Sequence, residues 1–382
     1  DRIMLVLCLV LPSTFFVGVF VWSVFQHFLT TDVPSTLQHP SSFRFLHCPC
    51  LCAFTLGSIF ERLGICSMPR FIQLLQGFVR TKKDARLATA DLYFGTIPVR
   101  LFQPKAESSS PRQGIIFFHG GGGLMGSLDL YHDLCSFLAL ETDSVLLSVG
   151  LPECLHSFPE VPGSLWGGPL PGCDLWRQHW GGGAYVACVS QALVGRPDLP
   201  RIWAQVLIYP VVQQKRPFLS QKFMMICVFK YLVINVHWWD AILEGAFVPP
   251  DFWRKYKHFL SSDNIPKRFR KTYHQPVFPA PFNEAAYLEN KHLLDVENNL
   301  LIRDDETITQ LPEAFLVSCE HDILHDDALL YRKRLKDQGV PVMWYHVEDG
   351  FHGSLLFFGK KYFSFPCSLE IVNAVTNYIK SI

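Results

Sequence analysis

The stretch Ile115-Ile116-Phe117-Phe118-His119-Gly120-Gly121-Gly122-Gly123 constrains the fold of this chain more than any other. Four apolar residues, two of them β-branched and two aromatic, read as a short strand buried on both faces. The glycines after His119 let the backbone turn sharply and leave N–H groups uncovered at the C-terminal end of the strand. Uncovered donors there suit negative charge, either a phosphate or the oxyanion of acyl transfer. A helix over 128–140 and a buried strand, Val145–Val149, follow. Strand, helix, strand is the unit of a parallel α/β sheet.

Other segments extend that sheet. Asp91–Phe94 and Val99–Gln103 read as a strand pair turning through Gly95 and Pro98. A helix opening on Gly181-Gly182-Gly183 leads to the strand Ala204–Tyr209. Ala314–Ser318 resumes the sheet, and a helix over 326–338, closed by Gly339, leads to the strand Val342–His346. Residues 211–300 hold aromatic-rich helical pieces broken by Pro249-Pro250, which predicts a helical cap inserted over the sheet. One stretch resists. Leu151 to Gln178 carries Pro152, Pro159, Pro162, Pro169 and Pro171 and shows no run of β-formers, where a doubly wound sheet needs another strand.

The N-terminus sets the compartment. Ile3–Phe25 carries no charge; at ~1.5 Å per residue it crosses a hydrocarbon layer of ~30 Å. No small-x-small cleavage site follows, so an uncleaved signal-anchor is preferred to a signal peptide. Arg2 alone biases orientation little. The chain opens on Asp1, and its true start is expected upstream. The domain reading is a transmembrane helix over 3–25, a helical segment over 26–88 lying against the membrane or over the core, and an α/β domain over 89–382 with its cap at about 211–300. A second apolar patch, Phe45 to Ile59, is broken by His47 and Pro49, with Arg44 just before it, and is not read as a second span. Lys+Arg and Asp+Glu both total 34, so no nucleic-acid partner is expected. Cys48, Cys50 and Cys52 alternate without a second cluster to complete a zinc site and read as buried small apolar residues, with disulfide pairing left open.

Asp322 and His352 each fall just beyond the C-terminal end of a predicted parallel strand, with one βαβ unit between them. Open α/β sheets place their chemistry along that edge. A carboxylate there fixes an imidazole's tautomer, and the imidazole takes a proton from a nucleophile. The blander alternative makes Asp322 a turn residue and His352 a satisfied loop histidine. The glycine loop on the same edge favours the functional reading.

His119-Gly120-Gly121-Gly122, Asp322-Ile323-Leu324-His325-Asp326-Asp327 and Gly350-Phe351-His352-Gly353 together resemble the hormone-sensitive-lipase-type α/β hydrolases, and within them the arylacetamide deacetylase-like family. The resemblance extends to Leu29–Pro40, to Phe94–Arg100 and to Gln191–Pro210. It implies an α/β-hydrolase fold: a mostly parallel central sheet with helices on both faces, a helical cap and an N-terminal transmembrane helix. It also implies a serine esterase or deacetylase of the endoplasmic reticulum membrane, single-pass with its domain lumenal, acting on small lipophilic esters or acyl amides and needing neither cofactor nor metal. Gly120, Gly121 and Gly181 would supply the oxyanion hole, Asp322 would orient, and His352 would be general base and then acid.

The family's nucleophile stands in a Gly-(Asp/Glu)-Ser-x-Gly-Gly turn. Aligned on Gly182-Gly183, this chain reads Gln178-His179-Trp180-Gly181-Gly182-Gly183, with Trp180 in the serine's place. An indole N–H donates hydrogen bonds and has no nucleophilic lone pair. Ser127, Ser164 and Ser354 lack the strand–turn–helix elbow. The expectation is an esterase-family chain whose own activity is doubtful, the alternative being a non-catalytic lipid or ligand binder. The unreadable 151–178 segment points to a local change of reading frame, splicing or gene model, with an evolved pseudoenzyme as the other reading.

Gly121-Gly122-Gly123-Leu124-Met125-Gly126 also fits a dinucleotide fingerprint, but Asp143 precedes its strand where a ribose-binding acid should end one. His321 and His325 stand one helical turn apart with no third ligand evident, and read as surface residues.

Overall fold

The computed structural model describes residues 2–30, 33, 37, 39–121, 125–150, 182–210, 235–270, 281–296, 299–322, 324–360 and 364–382. Gly95, at φ +61°, closes a hairpin of β1 (Leu87–Phe94) and β2 (Ile97–Pro104). β2 runs antiparallel to β4 (Val145–Val149), which pairs in parallel with β3 (Gly114–Phe118). The order of this four-stranded sheet is β1-β2-β4-β3. A three-stranded parallel sheet, β5-β6-β7, comprises Ala204–Ile208, Glu313–His321 and Val342–Phe351.

Helices cover both faces. α4 (His132–Glu141) crosses from β3 to β4 and packs Leu134 and Leu138 in one core with Phe315, Val347 and Val375. α5 (Gly182–Ala192) and α6 (His325–Asp337) bury Ala184, Ala187, Leu330 and Tyr331 against Leu207 and Leu316 in a second core. The C-terminal helix α7 (Pro366–Ser381) contributes Val372 and Val375 to the first core. Two of the three parallel pairs, β3–β4 and β6–β7, follow from their sequence: apolar runs linked by single helices return the chain in the same direction.

The structure departs from several expectations. β3 is not buried on both faces, since Ile116 is 46% exposed; among the described residues no strand pairs with its outer edge. A cavity of about 1350 Å³ instead runs between β3 and β5, lined by Ile116, Phe118, Val186, Val206 and Ile208. The helix expected from 128 starts at His132, because Ser127–Tyr131 form a turn in which the Leu130 N–H donates to Ser127 Oγ. β6 and β7 are longer than predicted and end at His321 and Phe351, directly before Asp322 and His352. Within the predicted cap, residues 235–270 and 281–296 form short helical turns such as Pro250–Tyr256 and Glu284–Asn290, while 211–234 and 271–280 lie outside the described residues.

At the N-terminus, α1 (Arg2–Thr30) is one helix through Pro12. The patch expected to be broken is also one helix, α2 (Pro40–Arg62), continuous through Pro49. Both are long and apolar enough to cross a membrane. They differ in surroundings. α1 exposes Leu11, Val17, Phe25 and Leu29, whereas α2 buries Phe43 edge-on against Phe351 of β7 and lines the cavity with Leu46, His47, Cys50 and Phe54. A short helix, α3 (Met68–Gln76), then packs Met68 against Gly57 of α2.

Candidate active site

His352 follows β7 and Asp322 follows β6, and pairing of those parallel strands brings the two side chains together. The His352 Nδ1–H donates to both carboxylate oxygens of Asp322, at 3.1 and 3.2 Å. Asp322 also accepts the Leu324 N–H at 2.7 Å, and its side chain is 1% exposed. An acid held this way selects the tautomer that leaves His352 Nε2 as an acceptor. His352 lines the cavity, as do Gly120 and Gly121 at the end of β3. Three of the expected residues, His352, Gly120 and Gly121, therefore line one cavity, with Asp322 hydrogen-bonded to His352. Trp180 and Gly181 lie outside the described residues, as do Gly122 and Gly123.

The glycine loop is held by close backbone approaches. Gly121 sits at φ +138°, where a Cβ would lie 1.8 Å from the Met125 carbonyl oxygen. The Met125 N–H donates to Gly121 O at 2.9 Å, and the Gly126 N–H donates to Gln76 Oε1 of α3 at 2.9 Å. Gly126, at φ +98°, abuts Gly120 O and the His119 ring. His119 stacks on Tyr131, whose hydroxyl lies against Gly120. Complete burial pushes the Tyr131 phenol up, partly opposed by a hydrogen bond to the Gly120 backbone.

Burial holds His119 neutral, with its pKa lowered from 6.5 to about 4. Between those values the unfolded chain binds a proton that the fold refuses. Stability from this residue is thus complete above pH 6.5 and is lost as pH falls towards 4, by about 3 kcal/mol in all. Melting curves from pH 7 to pH 4 are expected to lose this slope in His119→Gln; an unchanged slope would assign the acid sensitivity to other groups.

Sequence reasoning missed Tyr209. It directly follows β5 at φ +37°, a strained conformation for a residue with a side chain, and its ring centroid is 4.8 Å from that of His352. Its N–H donates to Val317 O at 2.9 Å, so the strained turn is anchored to β6. The signal available was Tyr209-Pro210 directly after an apolar run. Of the serines considered as substitutes, Ser164 lies outside the described residues, and neither of the other two is placed to attack. Ser354 Oγ is fully buried, and Ser127 Oγ holds the turn before α4. Among the described residues no hydroxyl or thiol is hydrogen-bonded to His352.

A mixed sheet and a parallel sheet flanked by helices, with an acid–imidazole pair and a glycine loop at the C-terminal ends of their parallel strands, define an α/β hydrolase. The profile of the family described as alpha/beta hydrolase fold matches residues 260–356. A crystal structure of a thermostable esterase from Pseudomonas putida ECU1011 superposes with a TM-score of 0.51 at 15% identity, covering 86% of this chain and 96% of that one. Esterase rPPE, complexed with (S)-Ac-CPA, gives 0.54 at 16% identity over 92% and 98%. Human arylacetamide deacetylase-like 4 is 60% identical, with 99% of each chain covered. Human arylacetamide deacetylase-like 3 is 41% identical over 96% of this chain and 97% of its own, and the Mus musculus arylacetamide deacetylase 30% over 80% and 85%. The chain belongs to the arylacetamide deacetylase-like family of α/β hydrolases. The alignment with arylacetamide deacetylase-like 4 spans 405 positions against 382 residues here, so that relative carries sequence this chain lacks.

Proposed function

We propose that this chain keeps the family's binding site for lipophilic carboxylic esters or acyl amides and has lost the serine turnover. One observation carries the reading: Gly182 and Gly183 both sit where no side chain fits. A Cβ on Gly182 would lie 2.2 Å from Phe118 O, and one on Gly183 would lie 2.8 Å from Pro210 Cβ. They are the two glycines that close the family's elbow, and the position two residues before Gly182 is Trp180. Asp322 and His352 then act as orienting acid and base with no hydroxyl to activate. Gly120 and Gly121 line an oxyanion cradle that binds a carbonyl without completing attack.

Other cavity-lining groups are poor substitutes. Burial pushes the Tyr131 and Tyr209 phenols up, and Ser190 Oγ–H donates to Val186 O inside α5. Incubation with an alkyl fluorophosphonate is expected to leave the protein unlabelled, while a lipophilic ester is retained and displaceable. A covalent adduct, on Cys50, Tyr209 or any other residue, would overturn the reading.

The proposal includes a membrane-anchored location, with α1 as the single span and the domain in the lumen of the endoplasmic reticulum. The packing of α2 on Phe351, its lining of the cavity and its Arg44–His27–His47 hydrogen bonds favour a covering helix over a second span. Lipophilic ligands would then reach the cavity beside the bilayer. Protease protection in sealed microsomes is expected to leave the domain intact; digestion down to α1 would reverse the orientation.

A further inference from the structure

Behind the Asp322–His352 pair the fold assembles a second polar group that the hydrolase reading does not use. Glu320 lies in β6, His346 in β7 and His325 at the start of α6. One ligand atom from each falls within 4.8 Å of the others. The expectation that His325 is a surface residue fails, since it is 7% exposed. The sequence spacing pairs it with His321, but parallel strand pairing supplies its real neighbours.

We propose that Glu320, His325 and His346 bind a divalent cation of the zinc type. The ring nitrogens are already sorted for ligation. His346 Nδ1–H donates to Ser318 Oγ at 3.1 Å, leaving Nε2 as the ligand, 2.8 Å from Glu320 Oε2. His325 Nδ1 faces Asp326 Oδ1 at 3.3 Å, leaving Nε2, which is fully buried with no hydrogen-bond partner. A buried imidazole nitrogen without a partner is costly, and a metal removes the cost. Second-sphere carboxylates and hydroxyls of this kind orient metal-bound histidines and set their tautomer.

Two imidazoles and one carboxylate form a three-ligand set that zinc completes with water. The ligand atoms of a tetrahedral site with bonds of ~2.0–2.2 Å lie about 3.4 Å apart. Glu320 and His346 therefore spread slightly, and His325 closes in. The Arg268 guanidinium lies 3.7 Å from Glu320 Oε2 and 3.1 Å from Glu348 Oε1, so it stays with Glu348 when the metal takes Glu320. Trp344 and Phe269 pack around the histidines, while exposed Glu320 leaves the site open to the water that completes it. The bound ion pins β6, β7 and α6 together, the elements that carry Asp322 and His352 on their ends.

The full chain in detergent micelles, stripped with a chelator, tests this by Zn²⁺ titration against a chromophoric competitor. One tight equivalent is expected. Glu320→Gln, His325→Ala and His346→Gln should each weaken it by at least the ~10–100-fold typical of losing a second-sphere partner. Asp326→Asn should weaken it by about 10-fold, and His321→Ala should leave it unchanged. Co²⁺ should give the visible absorption of a four-coordinate site in the parent and not in Glu320→Gln. Zn²⁺ should also raise the melting temperature of the parent alone, which separates ligand loss from misfolding. Equal affinity in the parent and Glu320→Gln, or a thiolate-to-metal band with Co²⁺, would overturn the proposal.

Discussion

With p-nitrophenyl butyrate as substrate, kcat is expected about 10⁶-fold below that of a family member with an elbow serine, and His352→Ala should leave the residual rate within about twofold. The first half follows from the proposed register, in which Gly182 and Gly183 align Trp180 with the family's serine. The second follows from how a catalytic set behaves as a unit. Once the nucleophile is absent, removing the base costs almost nothing further, because there is no hydroxyl proton for it to take. What survives is binding and the oxyanion cradle, worth ~10³–10⁴ over water when the rest of the site is formed. Steady-state rates at saturating substrate decide it. A burst of p-nitrophenol, or a residual rate that falls tenfold or more in His352→Ala, would show that His352 Nε2 activates another group. Asp322→Asn gives an independent check. It removes the carboxylate charge and replaces one of the two oxygens that accept the His352 Nδ1–H with an NH2 donor, so it should lower activity only if His352 is working as a base.

How much of this site could be seen in the sequence depended on whether the geometry was local. Asp322 and His352 stand out because each follows an apolar run on the same sheet edge, and parallel pairing of β6 with β7 is enough to bring them together. The glycine loop is legible because only glycine tolerates its backbone, as Gly121 and Gly126 show. Tyr209 is hidden because its relevance lies in a strained φ and a ring contact across two strands, neither of which leaves a pattern in residue types. The Glu320–His325–His346 group is hidden for a related reason. Its members come from two strands and a helix start, and the helical spacing of His321 and His325 points to the wrong pair. The exposure of Ile116 was not legible either. An apolar run announces a buried strand, but burial on both sides needs neighbours, and among the described residues β3 has one only on the β4 side.

Gly182→Ala is expected to destabilise the fold by about 3 kcal/mol, the upper end for forcing an added methyl into a packed site. The new Cβ would meet Phe118 O at 2.2 Å and the Phe118 and His119 carbonyl carbons at 3.1 Å. These are backbone atoms at the end of β3, and no rotamer change moves them aside. α5 would have to withdraw from the strand, loosening Tyr185 against Phe118 and Ile97 in one core and Ala187 and Cys188 in the other. Against a total stability of ~5–15 kcal/mol such a loss is large. Gly114→Ala, at the other end of β3 with nothing within 4 Å, should be neutral to within about 0.5 kcal/mol. Chemical unfolding of both variants in the same detergent measures the difference. The comparison bears on function as well as stability. If Gly182→Ala melted like Gly114→Ala, α5 would have room to shift along the strand end. The two-glycine sequence register by which Trp180 is proposed to replace the family's serine would then lose its anchor.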